Sequence, residues 1–155
     1  MYQKVLVPVD GSELAECVLP HVEAIAKGCQ PKKVILIRVV ETGFIPSGWD
    51  EYPIRADVDR LTESVEKPAA EDYLKQLAGR LKLDGVSIET QVTMGKPAET
   101  IADYAVHNEI DLIVIATHGR SGVGRWVMGS VADRVLRSAC VPVLMVRPPE
   151  CVPNI

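Results

Sequence analysis

The sequence lacks long hydrophobic runs and an excess of positive charge. Its longest uncharged apolar runs, such as residues 140–146, are far too short to cross a bilayer. The 17 Lys and Arg residues are outnumbered by 21 Asp and Glu residues, which gives a formal net charge of −4. No basic surface for nucleic acid or for an anionic membrane is therefore expected. Because the N-terminal residues also lack the features of a secretory signal, we expect a cytoplasmic location.

Cysteine and histidine are also sparse. The four cysteines and three histidines stand at no CxxC or zinc-ligand spacing, so neither a metal site nor a disulfide framework is expected. Hydrophobic residues make up 47% of the 155 residues and charged residues 25%. This composition is typical of a globular protein, and we expect one domain over residues 1–155 rather than a disordered or fibrous chain.

Five short apolar runs rich in β-branched residues predict five strands. Four of them are almost continuously apolar, as in strands covered on both faces, whereas the third alternates like a half-exposed edge strand. Stretches with apolar residues at helical spacing separate the runs. The expected fold is therefore α/β, a five-stranded, mostly parallel sheet with helices on both faces. The predicted strands are 5–9, 34–40, 86–92, Leu112–Ala116 and 141–146.

Two features interrupt this simple pattern. Pro20 lies inside the first helical stretch, where it is expected to kink the helix. The segment from Glu41 to about Pro68 shows no clean period, although residues 57–67 carry apolar residues at helical spacing. A connection of this length is typical of a lid, a binding surface or a disordered segment.

The loop after the fourth predicted strand is rich in glycine. In open parallel sheets, ligands bind beyond the carboxyl ends of the strands, at the point where the winding direction reverses. Glycines let a backbone approach a ligand closely, and the helix expected to begin near Gly129 would direct its free N–H groups toward an anion. We predict a phosphate site here, while ordinary turns remain the alternative explanation of the glycines.

Six segments of the sequence share a specific order and spacing. Together they resemble the universal stress protein family along nearly the whole chain, which implies the adenine nucleotide alpha hydrolase-like form of the Rossmann-like fold. The segments are Val7-Pro8-Val9-Asp10-Gly11-Ser12, Ile37-Arg38-Val39-Val40, Gly95-Lys96-Pro97-Ala98, residues 111–120, Gly129-Ser130-Val131-Ala132 and Pro142-Val143-Leu144-Met145-Val146.

The ATP-binding branch of that family carries the pattern Gly-x2-Gly-x9-Gly-[Ser/Thr]. Its four positions are filled here by Ala116, Gly119, Gly129 and Ser130. Ala116 departs from the pattern at the first glycine. Its methyl group is tolerated if the backbone φ is negative, which its place at the end of a strand favours.

The resemblance implies ATP or AMP as the bound cofactor, with or without Mg²⁺, and assigns residues to it. Pro8, Val9 and Asp10 would border the adenine and ribose, and Val39 would meet the adenine edge. The phosphates would be held near Ala116 by Gly119, Gly129, Ser130 and Val131.

Several alternatives stay open at this point. Asp10 and Ser130 could serve as helix caps instead, and His118 is expected to be structural rather than a proton carrier. The expected function is a nucleotide-dependent regulatory module in stress response. A slow ATPase or an adenylyl-transferring enzyme in the same pocket is the alternative, and a flavin or electron-transfer module is a third class. Because the pocket offers one placed carboxylate and no phosphate-binding lysine, we assign no catalytic residue and no metal ligand.

The last predicted strand is apolar from Val141 up to Arg147. The resemblance implies that it lies at the edge of the sheet, where such a strand exposes unpaired backbone groups. We therefore expect a homodimer paired through Val141 to Arg147 around a two-fold axis. In the alternative, the proline-rich residues 148–153 fold back over the edge.

Overall fold

Five strands form the sheet in the computed structural model, which describes residues 1–41, 52–117 and 130–148. They are β1 (Lys4–Pro8), β2 (Lys33–Val40), β3 (Ser87–Met94), β4 (Leu112–Ala116) and β5 (Val143–Val146). The strand order is β3-β2-β1-β4-β5, and every pairing is parallel. The alternation of strands and helices along the chain confirms the predicted fold class.

Helices cover both faces of this sheet. A short 3-10 helix (Ala15–Val18) precedes α1 (Leu19–Cys29), and α2 (Tyr52–Arg80), α3 (Pro97–His107) and α4 (Ser130–Ser138) follow. Val7 and Leu36 pack on the side of α1 and α2, whereas Leu6 and Ile37 pack on the side of α3 and α4. Strands β1, β2 and β4 are thus buried on both faces, which explains their almost continuous apolar sequences.

The predicted kink at Pro20 is wrong. The chain first forms the 3-10 helix, and α1 begins only at Leu19, so that Pro20 lies in the first turn of α1. The backbone N–H groups of a first turn have no acceptor within their own helix, and the fixed φ of proline suits this position. Pro20 therefore stands at the start of α1 and does not interrupt it.

Helix α2 is longer than the sequence predicts. The helical spacing over residues 57–67 is confirmed, but the helix already includes Tyr52 and is joined through Pro68 to the helical stretch predicted before the third strand, so that it ends at Arg80. Residues 42–51 of the predicted irregular connection lie outside the described residues. No residue from 56 to 69 is buried, whereas Ala70, Leu74 and Leu77 are, so the second half of α2 holds this helix to the sheet.

The two edges of the sheet differ in length and exposure. β3 forms one edge, as its alternating sequence predicts, and pairs with β2 over eight residues. β5 forms the other edge and is shorter than the predicted 141–146. Val143 and Met145 are half-buried on the side of α3 and α4, whereas Leu144 is 39% exposed.

Within the described ranges, no helix has both the length and the hydropathy needed to span a bilayer.

Candidate functional site

The winding of the sheet reverses between β1 and β4, and the carboxyl ends of these strands lie side by side. Leu6 pairs with Ile113, so Val9 and Ala116, each three residues further along, reach the same edge. The main chain stays tied to the sheet there, because the Val9 N–H donates to the carbonyl of Ile37 at 2.9 Å. Parallel sheets bind their ligands outside such a reversal, which makes this edge the candidate site.

Asp10 lies two residues after the end of β1 and shapes the loop that leaves the strand. Its Oδ1 accepts hydrogen bonds from the Ser12 N–H at 2.9 Å and from the Ser12 hydroxyl at 2.6 Å. The Ser12 Oγ in turn accepts the Ala15 N–H at 3.2 Å, at the start of the 3-10 helix. Asp10 therefore orders the loop through Ser12, and Ser12 is the residue that bonds the first turn of the helix.

A second group of side chains lies behind this loop, on the side of α1 and α2. At Gly11, where φ is +86°, an added Cβ would lie 3.2 Å from Nη1 of Arg38. The Arg38 guanidinium stands 5.5 Å from the ring centre of Tyr73. The Tyr73 hydroxyl donates to Glu16 at 3.1 Å, and Nη1 of Arg80 donates to the other oxygen of Glu16 at 2.8 Å.

The phenol of Tyr73 remains a hydrogen-bond donor over the physiological pH range. Burial raises its pKa most, and the negative charge of Glu16 raises it further. The charge of Asp10 acts in the same direction, whereas Arg38 lowers the pKa. The protonated phenol therefore remains the donor in its hydrogen bond to Glu16.

Sequence reasoning missed the roles of Arg38, Tyr73 and Glu16. Arg38 carried a signal, because it is the one charged residue between Val34 and Val40 in an otherwise apolar strand. Nothing in the helical pattern around Tyr73 marks it as different from its neighbours.

The other predicted residues of β1, β2 and β4 lie at the same edge. Pro8 is buried and pairs with Ile37, and Val39 lies two residues further along β2 with its half-buried side chain on the side of α3 and α4. Ala116 is buried in the extended backbone of β4. It is not among the described non-glycine residues with positive φ, which are Gln30 and Glu109, so its methyl group is tolerated.

The predicted phosphate residues are described in part. Ser130 is exposed and begins α4, as predicted, and Val131 is half-buried on the inner face of that helix. Because a helix that connects two parallel strands runs back across the sheet, α4 starts at the carboxyl edge and places the positive end of its dipole there. Gly119 and Gly129 lie outside the described residues, as do His118 and the arginines at 120 and 125.

The described ranges contain no group of three or more His, Cys, Asp and Glu side chains placed to hold a metal ion. At this edge the described residues include the Asp10 carboxylate, the Ser130 hydroxyl and the N–H groups at the start of α4. This set of an acceptor and several donors suits a ligand with hydroxyl groups and negative charge.

Comparison with known proteins gives one consistent family. The model of the universal stress protein family matches residues 1–147. The universal stress protein MJ0531 of Methanocaldococcus jannaschii is 33% identical over 150 residues, which cover 97% of this chain and 85% of that protein. The solved structure of MJ0577, a universal stress protein of the same organism, is 26% identical with a TM-score of 0.81 and covers 97% of this chain and 99% of its own.

A further solved structure is a universal stress protein in complex with cAMP. It is 25% identical with a TM-score of 0.57, and the match covers 94% of this chain and 97% of that one. The family match over nearly the whole sequence, the relative at 33% identity and the shared fold lead to one conclusion. The chain belongs to the universal stress protein family.

Proposed function

We propose that this protein binds ATP or AMP where β1 and β4 end, and that it acts as a nucleotide-dependent regulatory module in stress response. The observation that carries the proposal is the pairing of β1 with β4, because two features then follow neighbouring strands at one edge of the sheet. These are the Asp10 carboxylate after β1 and the start of α4 at Ser130. A similar universal stress protein was solved with cAMP, an adenine nucleotide, which supports this class of ligand.

The adenosine part of the nucleotide would lie against the ends of β1 and β2. Pro8 and Val9, whose side chains are buried, would border the adenine, and the half-buried Val39 would meet its edge. The Asp10 carboxylate would accept hydrogen bonds from the ribose hydroxyls or from the base, and the two bonds from Ser12 fix its direction. A carboxylate suits this role because it accepts bonds from hydroxyl and amino groups.

The phosphates would lie at the start of α4. The first backbone N–H groups of a helix have no partner within it, and the helix dipole favours negative charge at that end. The Ser130 hydroxyl adds a donor, while the motif predicts close backbone approach at Gly119 and Gly129. A magnesium ion would enter together with the phosphates, which are its usual ligands.

Calorimetric titration with ATP and with AMP, with and without magnesium, tests this proposal. Gly129→Val should abolish binding because a branched side chain would occupy the space of a phosphate. Gly79→Val is the matched control, since a Cβ at Gly79 in α2 meets no atom within 4 Å. A folded Gly129→Val variant that binds as tightly as the wild type would contradict the site.

The Ser130→Ala variant shows which phosphate of the nucleotide the Ser130 hydroxyl contacts. Loss of a neutral hydrogen bond should weaken ATP binding by about 0.5–1.5 kcal/mol, and more if the phosphate charge strengthens the bond. AMP should lose less if the hydroxyl reaches the terminal phosphate of ATP. Equal losses for both nucleotides would place the hydroxyl at the first phosphate.

The proposal includes a homodimer paired through Val141 to Arg147 and a cytoplasmic location. The position of β5 at the edge supports pairing, because its outer backbone groups face away from β4. The 39% exposed side chain of Leu144 would be covered by a partner strand. Cell fractionation checks the location, and the dimer is tested below by a charge placed on β5.

A further inference from the structure

The loop from Asp10 to Ser12 depends on contacts beyond its own hydrogen bonds. The Ala15 N–H is shared between the Ser12 carbonyl at 3.1 Å and the Ser12 Oγ at 3.2 Å, which fixes the end of the loop. Gly11, in the middle, has a φ of +86°. Because glycine changes conformation at little cost, a neighbouring group is needed to hold it in place.

Arg38 is that neighbour. Its guanidinium fills the space beside Gly11, since Nη1 and Cζ lie 3.2 and 3.3 Å from the position a Cβ would take. The same guanidinium stands 5.5 Å from the centre of the Tyr73 ring, within the range of a cation–π interaction. Both side chains are half-buried, which strengthens the attraction over that of an exposed pair.

Tyr73 is itself fixed from the other side. Its hydroxyl donates to Glu16, and Arg80 donates to the second oxygen of the same carboxylate. Glu16 belongs to the 3-10 helix that begins three residues after Ser12. The contacts therefore close a ring, from Gly11 through Arg38, Tyr73 and Glu16 back to the loop. We call these four residues the loop clamp.

We propose that Arg38 is a positioning residue that acts through the loop clamp to set the direction of the Asp10 carboxylate. This role acts on the loop and needs no contact between Arg38 and the nucleotide. By ordering the loop before binding, it lowers the entropy cost that binding would otherwise carry. The effect on nucleotide affinity rests on the proposed function, whereas the effect on the loop is present without any ligand.

Hydrogen exchange of the Ser12 and Ala15 amides tests the clamp in the free protein. Arg38→Met keeps an unbranched, flexible side chain but removes the guanidinium and its charge, and should speed exchange at both amides about three- to tenfold. Arg38→Lys restores a cation and should recover part of the protection. The matched control is Lys33→Met, at the amino end of the same strand, where Lys33 pairs with Glu89. It should leave both exchange rates unchanged.

Calorimetry with AMP on the same three variants completes the test. Arg38→Met should weaken binding about three- to tenfold, Arg38→Lys less, and Lys33→Met not at all. The proposal would be overturned if the Arg38→Met variant exchanged at the wild-type rate, or if Lys33→Met accelerated exchange equally. It would also be overturned if Arg38→Met exchanged faster but bound AMP with wild-type affinity. If the wild type binds neither ATP nor AMP, the proposed function fails, and exchange at Ser12 and Ala15 still decides whether Arg38 orders the loop.

Discussion

Ser12 donates both its backbone N–H and its hydroxyl to the same carboxylate oxygen of Asp10, at 2.9 and 2.6 Å. The carboxylate proposed to bind the ribose or base is therefore also the acceptor that orders the loop after β1. Substitutions at Asp10 would change folding stability and ligand binding together. The two effects separate only when the replacement keeps an acceptor oxygen.

Asp10→Asn and Asp10→Ala should differ for this reason. Asn keeps an oxygen for Ser12 and should retain most of the stability, whereas Ala should lose about 1–2 kcal/mol of unfolding free energy. Both variants should bind AMP more weakly, because neither carries the charged acceptor. Urea denaturation and calorimetry measure the two quantities. If the Asn variant bound AMP with wild-type affinity, the Asp10 carboxylate would not be part of the nucleotide site.

A lysine on β5 should give monomers. In the proposed homodimer, Leu144→Lys would place a charge against its two-fold copy on the partner strand and would desolvate it. Lys at the half-buried Val143 or Met145 would disturb the core as well, so Leu144 gives the cleaner test. Thr90→Lys, at an exposed position of the opposite edge strand, is the control.

Sedimentation at tens of micromolar distinguishes the outcomes for this edge. The wild type and Thr90→Lys should sediment as dimers and Leu144→Lys as a monomer. A wild-type monomer, or a dimeric Leu144→Lys variant, would rule out pairing through β5.

Asp111 should make stability depend on pH at the acidic end. Hydrogen bonds from the backbone N–H groups of Lys4 and Gln3 hold its pKa below the ordinary value of 3.8. A lowered pKa means that the stabilisation is fully present above the unfolded-state value and is lost as the pH falls through the lower, folded-state value. Asp111→Ala should therefore cost about 1 kcal/mol near neutral pH, a small amount because the group is partly exposed.

The difference between the wild type and Asp111→Ala should shrink below about pH 4. Urea denaturation between pH 3 and pH 7 measures it, and Asp111→Asn, which keeps an acceptor but does not titrate, serves as the control. A difference that stayed constant over this range would show that these two backbone bonds do not depend on the charge.

Pro68→Ala should stabilise α2. Pro68 is exposed inside this 29-residue helix, where it removes one backbone hydrogen bond and crowds the preceding turn. We expect a gain of about 1–2 kcal/mol, reduced by the greater freedom of alanine in the unfolded chain. Urea denaturation followed by circular dichroism measures the gain. Ser64→Ala, at another exposed position of α2, controls for helix propensity, and equal gains in both variants would contradict a specific effect of proline.

The sequence predicts the sheet well because strands that are buried on both faces have almost continuous apolar sequences. The predicted bounds of β4 agree with the structure, and those of β1 and β2 agree within one residue at each end. The loop of Asp10 was expected at the end of the first strand, where ligand sites of parallel sheets lie, whereas its role in nucleotide binding was assigned by the resemblance and stays a prediction. Pro20 was misjudged because its effect depends on where the helix begins, and the preceding 3-10 turn carries no clear signal.

The loop clamp could not be predicted for a different reason. Arg38, Tyr73 and Glu16 belong to separate elements far apart in sequence, and their contact depends on the rotation of α2 about its axis. That rotation is set by the packing of Leu74 and Leu77 against the sheet. The apolar spacing of the sequence shows which face of α2 is buried, but not the exact rotation of the helix. The unusual arginine in β2 was a sign of a special environment, but not of its partners.

The central position of β1 in the sheet affects how the chain folds while it is synthesised on the ribosome. Val5 pairs on one side with Val34, which soon follows it, but on the other side with Leu112, more than a hundred residues later. At ordinary translation rates, about 5–20 s pass between the synthesis of β1 and that of β4, and one edge of β1 has no partner strand during this time. During that time an apolar strand meant for the middle of the sheet is open to pairing with another nascent chain. Slower translation between β2 and β4 would lengthen this exposure and lower the yield of native protein without any change in the stability of the finished fold.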